Sequence, residues 1–147
     1  MKVMAIDYGD TRTGVAFSDL TGTIAGETLV IVEREPGRLS KQLAELYFSR
    51  GAHFAALGLP LNMDGSRGPR AERSEAMAEL LRGRGMKIRM IDERLTTVAA
   101  HSIMAAGGIS GKKRKSRIDA VAATLILETA LGMPDLEEKT GDDANAD

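Results

Sequence analysis

The chain has 147 residues, 43% of them hydrophobic and 28% charged, the balance of one soluble globular domain and not of a disordered or fibrous chain. It has no cysteine, which excludes a disulfide scaffold, thiol catalysis and a zinc ribbon. The net charge of −1 is a cancellation: residues 133–147 hold six acids and one lysine, so residues 1–132 are mildly basic.

Lys2–Asp7 reads as a buried strand closed by the turn Tyr8-Gly9-Asp10. This apolar opening is too short for a secretory signal or a membrane span, and so is Ala120–Leu127, the longest apolar stretch elsewhere. A cytoplasmic protein with no membrane partner is expected. Thr13–Ser18 is a second strand, ended by Asp19 and Gly22, and Glu27–Glu33 a third, rich in β-branched residues. After Pro36-Gly37, the residues Leu39, Leu43, Leu46 and Tyr47 recur at helical spacing. His53–Gly58 is apolar enough for a strand buried on both faces. Leu59–Gly68 is a loop, and Pro69 opens a helix to Arg82 that Gly83 and Gly85 end. Lys87–Ile91 is a fifth strand, and Thr96 or Thr97 caps a helix to about Ala106. The basic run Lys112–Arg117 follows Gly107, Gly108 and Gly111, reads as a mobile arm, and leads into a last helix from about Ser116 to Leu131. From Pro134 the chain reads as a disordered acidic tail. The expected division is a folded domain over 1–132 and a tail over 133–147.

The resulting order, β-β-β-α-β-α-β-α-α, implies an antiparallel part from the first three strands and a parallel part with right-handed crossovers from the rest. It predicts an α/β domain of the ribonuclease-H-like kind, a mixed five-stranded sheet flanked by helices.

Asp7 ends a buried strand, where a carboxylate is costly without a partner. It is either a turn aspartate accepting backbone N–H bonds or a metal ligand at the sheet edge, with Gly9 and Gly14 admitting a phosphate backbone. Asp92-Glu93-Arg94 follows the fifth strand, at the carboxyl end where such sheets bind ligands. It reads as a metal ligand with a phosphate clamp, or as a solvated ion pair. On a wheel of about 100° per residue, Ile118, Val121, Ala122, Leu125, Ile126 and Thr129 share one stripe, with Asp119 on its rim. Asp119 then faces the sheet edge, or Ser116-x-x-Asp119 is a capping box, and both roles can coexist. Asn62, Asp64 and Ser66 either line the cleft or form Asx turns. His53 and His101 have no partner at ligand spacing.

Lys112, Lys113, Arg114, Lys115 and Arg117 lie on the approach to Asp119, which suits a phosphate-gripping arm. Three Phe, two Tyr and no Trp make a base-stacking platform improbable, so backbone or shape recognition is expected. Acids converging on a sheet edge repel one another, and divalent cations relieve that repulsion. An all-oxygen ligand set suits Mg²⁺ or Mn²⁺, which can activate water and stabilise the leaving oxygen of a phosphodiester.

Four segments carry a family resemblance: Asp7-Tyr-Gly-Asp-Thr-Arg-Thr-Gly-Val-Ala-Phe-Ser-Asp19, Gly58-Leu-Pro-Leu-Asn-Met-Asp-Gly65, Asp92-Glu-Arg-Leu-Thr-Thr97 and Asp119-Ala-Val-Ala-Ala123. In type and order they resemble the YqgF family, also called RuvX, described as Holliday junction resolvases or pre-16S rRNA nucleases. The resemblance covers about residues 1–132 and implies a ribonuclease-H-like fold related to RuvC resolvases. It implies an acidic triad of Asp7, Glu93 and Asp119 as catalytic metal ligands, with Asp92 and Asp64 as alternatives to Glu93. Arg12 and Arg94 become candidates for phosphate contacts. The implied activity is metal-dependent maturation of the 5′ end of 16S ribosomal RNA precursor, with RNA as partner. The rival readings are a resolvase acting on a four-way DNA junction and a non-catalytic RNA-binding assembly or transcription factor. A nucleotide-driven kinase, suggested by Asp7-x-Gly9 and Gly14, is disfavoured because such proteins need two such domains.

Overall fold

The computed structural model describes residues 1–19, 21–22, 25–95 and 111–133, the side chains of Ala25, Leu95 and 111–119 excepted. Strands β1 (Val3–Asp7), β2 (Arg12–Ser18), β3 (Ala25–Val32), β4 (Phe54–Leu59) and β5 (Ile88–Asp92) form one sheet in the order β3-β2-β1-β4-β5. β1–β2 and β2–β3 are antiparallel, while β1–β4 and β4–β5 are parallel. The mixed sheet is the one the element order predicts, because short turns join the first three strands and helices join the others.

Period-two alternation divides each strand between two cores. On one face α1 (Pro36–Ser49) and α2 (Pro69–Gly83) set Leu39, Leu43, Tyr47, Met77 and Leu81 against Met4, Ile6, Val15, Phe17 and Leu57. On the other, α3 (Gly111–Leu131) sets Ala123, Ile126, Leu127 and Ala130 against Val3, Ala5, Ala16, Phe54, Ala56 and Ile91. β4 lies between β1 and β5 and is covered on both faces, which is why its sequence is apolar without alternation. Among the described residues no helix is long and apolar enough to cross a membrane.

Three expectations for the last helix change. It begins at Gly111 and not near Ser116, so the run from Lys112 to Arg117 is wound into its first turns and is not an arm ahead of it. Lys and Arg are good helix formers, and neither Gly nor Pro interrupts 112–131. Ser116 is therefore inside the helix and cannot be its N-cap, which removes the capping-box reading of Asp119. The buried stripe also lies elsewhere: Ala123, Ile126, Leu127 and Ala130 are buried, whereas Val121, Ala122, Leu125 and Thr129 are half-buried. At about 100° per residue, position 119 falls within that stripe and not on its rim. The expected helix from Thr96 or Thr97 to Ala106, His101, the glycines 107 and 108 and the tail from Pro134 lie outside the described residues.

Ser18 ties the start of β1 to the end of β2. Its Oγ accepts from the Val3 amide at 2.8 Å, and the residue is 1% exposed. Ser18→Ala should leave that buried N–H unpaired and cost about 1–3 kcal/mol, read as a lower urea midpoint with an unchanged slope. A midpoint equal to wild type would show that the amide finds another partner.

Candidate active site

The three parallel strands end side by side. Ile6 pairs with Leu57, and Gly58 with Ile91, so Asp7, Gly58 and Asp92 lie along the carboxyl edge. Alternation puts Asp7 on the face of Val3 and Ala5, the face α3 covers. After β5 a single turn of 3₁₀-helix, Glu93–Leu95, carries Glu93 against Gly58 and into a hydrogen bond with Asp7.

The electrostatics of the pair follow from its burial. Desolvation disfavours the charged form of both groups and raises both pKa values. For Glu93 the negative charge of Asp7 and the hydrogen bond to it add to that effect, Arg70 opposes it, and the pKa is pushed up to about 8. For Asp7 the bond from Glu93 and the charge of Arg70 work against desolvation. At neutral pH Glu93 holds the proton and donates it to the Asp7 carboxylate.

Gly58 supplies the room. A Cβ there would lie 2.9 Å from both Cγ and Cδ of Glu93 and 2.8 Å from Cδ1 of Ile126. Its backbone angle is an ordinary one, so the space and not the conformation requires glycine. A cavity of about 120 Å³ lies between the β1–β2 turn and the start of α2.

The other sequence candidates separate. Asp92 faces Arg94, which donates from Nε and Nη2 at 2.9 and 2.6 Å to Oδ2, and from Nη1 to the Met63 carbonyl at 3.4 Å. That ion pair holds the Asp92 carboxyl below its ordinary range. Asp64 is exposed and forms the Asx turn, its Oδ1 accepting from the Ser66 amide at 2.9 Å and hydroxyl at 2.6 Å. Of Glu93, Asp92 and Asp64, Glu93 is therefore the one beside Asp7. Arg12 opens β2, half-buried. His53 contributes backbone bonds, its carbonyl accepting from the Tyr47 hydroxyl at 2.8 Å. Asp119 sits on α3 one turn before Ala123; its side chain and those of Lys112, Lys113, Arg114, Lys115 and Arg117 lie outside the described residues.

A divalent cation suits this chemistry. Two buried carboxyls that repel one another when both ionise are relieved by a hard positive charge, and the donors are all oxygen. Among the described residues no group of three or more acids or histidines could hold a metal, so the described donors are the pair alone. The sequence reading missed Gly58 and Arg70. A lone glycine inside an apolar strand was the available signal for the first; spacing offers none for an arginine that approaches the acids only through the fold.

A family model described as "RuvX: Holliday junction resolvase" matches residues 1–133. A Halothermothrix orenii protein named "Putative pre-16S rRNA nuclease" is 39% identical over 129 residues, 87% of this chain and 92% of that one. A Carboxydothermus hydrogenoformans protein of the same name is 43% identical over 131 residues, 86% of this chain and 93% of that one. Among solved structures, Thermus thermophilus RuvC in complex with a Holliday junction substrate matches with a TM-score of 0.58 at 15% identity, over 90% of this chain and 97% of that one. At that identity the likeness shows the fold, which is ribonuclease-H-like as the element order predicts.

Glu93 binds its proton more tightly folded than unfolded, so its contribution to stability is full below about pH 4.5 and is lost as pH rises through about 8. In chelator, Glu93→Gln should melt like wild type at acid pH and about 3–6 °C higher above pH 8. Parallel melting curves for the two proteins across this range would show that the pair does not share a proton. Gly58→Ala should push Glu93 off Asp7, flatten the same pH dependence, and lower phosphodiester cleavage about 100-fold. Unchanged cleavage and an unchanged pH dependence would remove Gly58 from the site.

Proposed function

The chain belongs to the RuvX family, and we propose that it is a metal-dependent nuclease that hydrolyses phosphodiesters of 16S ribosomal RNA precursor to mature its 5′ end. The observation that carries this reading is the proton-sharing pair of Asp7 and Glu93 at the carboxyl edge of the parallel strands. The name of the curated relatives supports RNA as the partner and ribosome biogenesis as the setting.

Asp7 and Glu93, with Asp119 from α3, would hold Mg²⁺ or Mn²⁺, which when bound supplies the charge that activates water and stabilises the leaving oxygen. Glu93 would serve as a ligand in its ionised form, so holding the cation would require it to give up its proton. Gly58 keeps Glu93 in reach of Asp7, and the buried Ile126 packs beside it from α3. Arg12 and the α3 residues Lys112, Lys113, Arg114, Lys115 and Arg117 are assigned to the phosphates of the strand. Arg94 joins them only with the part of its fork that Asp92 and Met63 leave open.

The test incubates wild type and Asp7→Asn with labelled 16S precursor RNA and Mg²⁺ or Mn²⁺, and with a four-way DNA junction in parallel. Metal-dependent trimming of the RNA is expected, reduced by roughly 100-fold or more in a folded Asp7→Asn. Normal cleavage by that variant would reject the assignment of Asp7. Cutting of the junction alone would make the protein a resolvase. RNA binding without cleavage of either substrate would make it a non-catalytic assembly or transcription factor.

A further inference from the structure

We propose that the cavity between the β1–β2 turn and α2 is a phosphate subsite, in which Arg70 and Ser74 bind a phosphodiester of the RNA strand next to the one presented to Asp7 and Glu93. The inference rests on the nuclease reading of that pair. The cavity, about 120 Å³, is lined by Tyr8, Gly9, Asp10, Arg70, Arg73 and Ser74.

Arg70 stands in the first turn of α2, exposed, and its charge acts on both Asp7 and Glu93. Its guanidinium is exposed, and among the described residues no hydrogen bond or ion pair engages it. Ser74 is one helical turn further on, 2% exposed, and its hydroxyl has no hydrogen-bond partner among the described residues. The hydroxyl opens on the cavity, where solvent or an acceptor from outside the chain can meet it. Phosphate oxygens accept from both groups.

The remaining wall is neutral and fixed. Arg73 Nη1 meets Asp10 Oδ1 at 2.8 Å, which cancels the one acid of the cavity and fastens the β1–β2 turn to α2. The net charge of the lining is therefore that of Arg70. Because α2 begins after the loop that leaves β4, Arg70 stands at the carboxyl edge that carries the acid pair, so a strand crossing that edge can meet both. Arg94 cannot serve in this way, since Asp92 occupies two edges of its fork.

The experiment measures binding of a short fluorescein-labelled single-stranded RNA across a salt series, in chelator, so that no cleavage occurs. Arg70→Gln should weaken binding about tenfold at low salt and reduce the slope of log affinity against log salt by about 0.7. Ser74→Ala should weaken binding a few-fold with the slope unchanged, since it removes a neutral donor. Arg84→Gln, at the far end of α2, should change neither, and Arg70→Lys should restore the slope. Circular dichroism and melting curves check that each variant is folded. A slope for Arg70→Gln equal to wild type overturns the proposal, as does an equal loss in Arg84→Gln, which would make the effect one of overall charge. Wild-type affinity in Ser74→Ala also overturns it. If wild type cleaves no substrate with metal while Arg70→Gln still loses its slope, the nuclease reading fails and the subsite stands.

Discussion

Asp7 and Glu93 meet at the carboxyl edge of the parallel strands, where desolvation favours the neutral form of each and their repulsion makes a second charge costly. One proton satisfies the pair, and a cation replaces that proton with a stronger positive charge on the same oxygens. The rest of the molecule holds this frustrated arrangement together. Without the sheet beneath it, two carboxyls would turn to water and separate.

The topology is what brings together two acids that lie 86 positions apart in the chain. Asp7 ends the central strand and Glu93 follows an edge strand, with β4 between them. A side chain reaching from one to the other must cross β4, and the crossing is open because position 58 has no side chain. Ile126 fills the space on the far side of that gap, so α3 packs against the site's floor and bears on the geometry of Glu93 as well as on stability.

Periodicity and punctuation made the sheet legible, because each strand is an apolar run bounded by Gly, Pro, Asp or Asn. Asp7 was legible for the same reason, as a charge at the end of such a run. The choice among Glu93, Asp92 and Asp64 was not. All three follow a strand's carboxyl end, and only the 3₁₀ turn after Asp92, with the open space at Gly58, decides which side chain reaches Asp7. The start of α3 was misplaced because glycines preceding a charge run resemble a loop, whereas lysine and arginine extend a helix readily. The buried stripe of that helix was misjudged because the small residues Ala123 and Ala130 carry the contact, and hydropathy gives small side chains little weight.

Adjacent acids at the end of β5 have opposite fates, and the division has a physical use. Asp92 engages Arg94 through two edges of its guanidinium, and Arg94 in turn reaches the Met63 carbonyl, bracing the loop after β4 against the end of β5. The same pairing commits Arg94 to Asp92: an arginine bonded to a metal-ligating carboxyl draws its pKa down and occupies the oxygens a metal needs. Asp92 itself adds to the elevation of Glu93. Arg70 acts on the acids through space from another helix, moderating their repulsion without bonding to them. Arg94 is thus engaged in bracing the loop, and Arg70 acts on the acids from the start of α2.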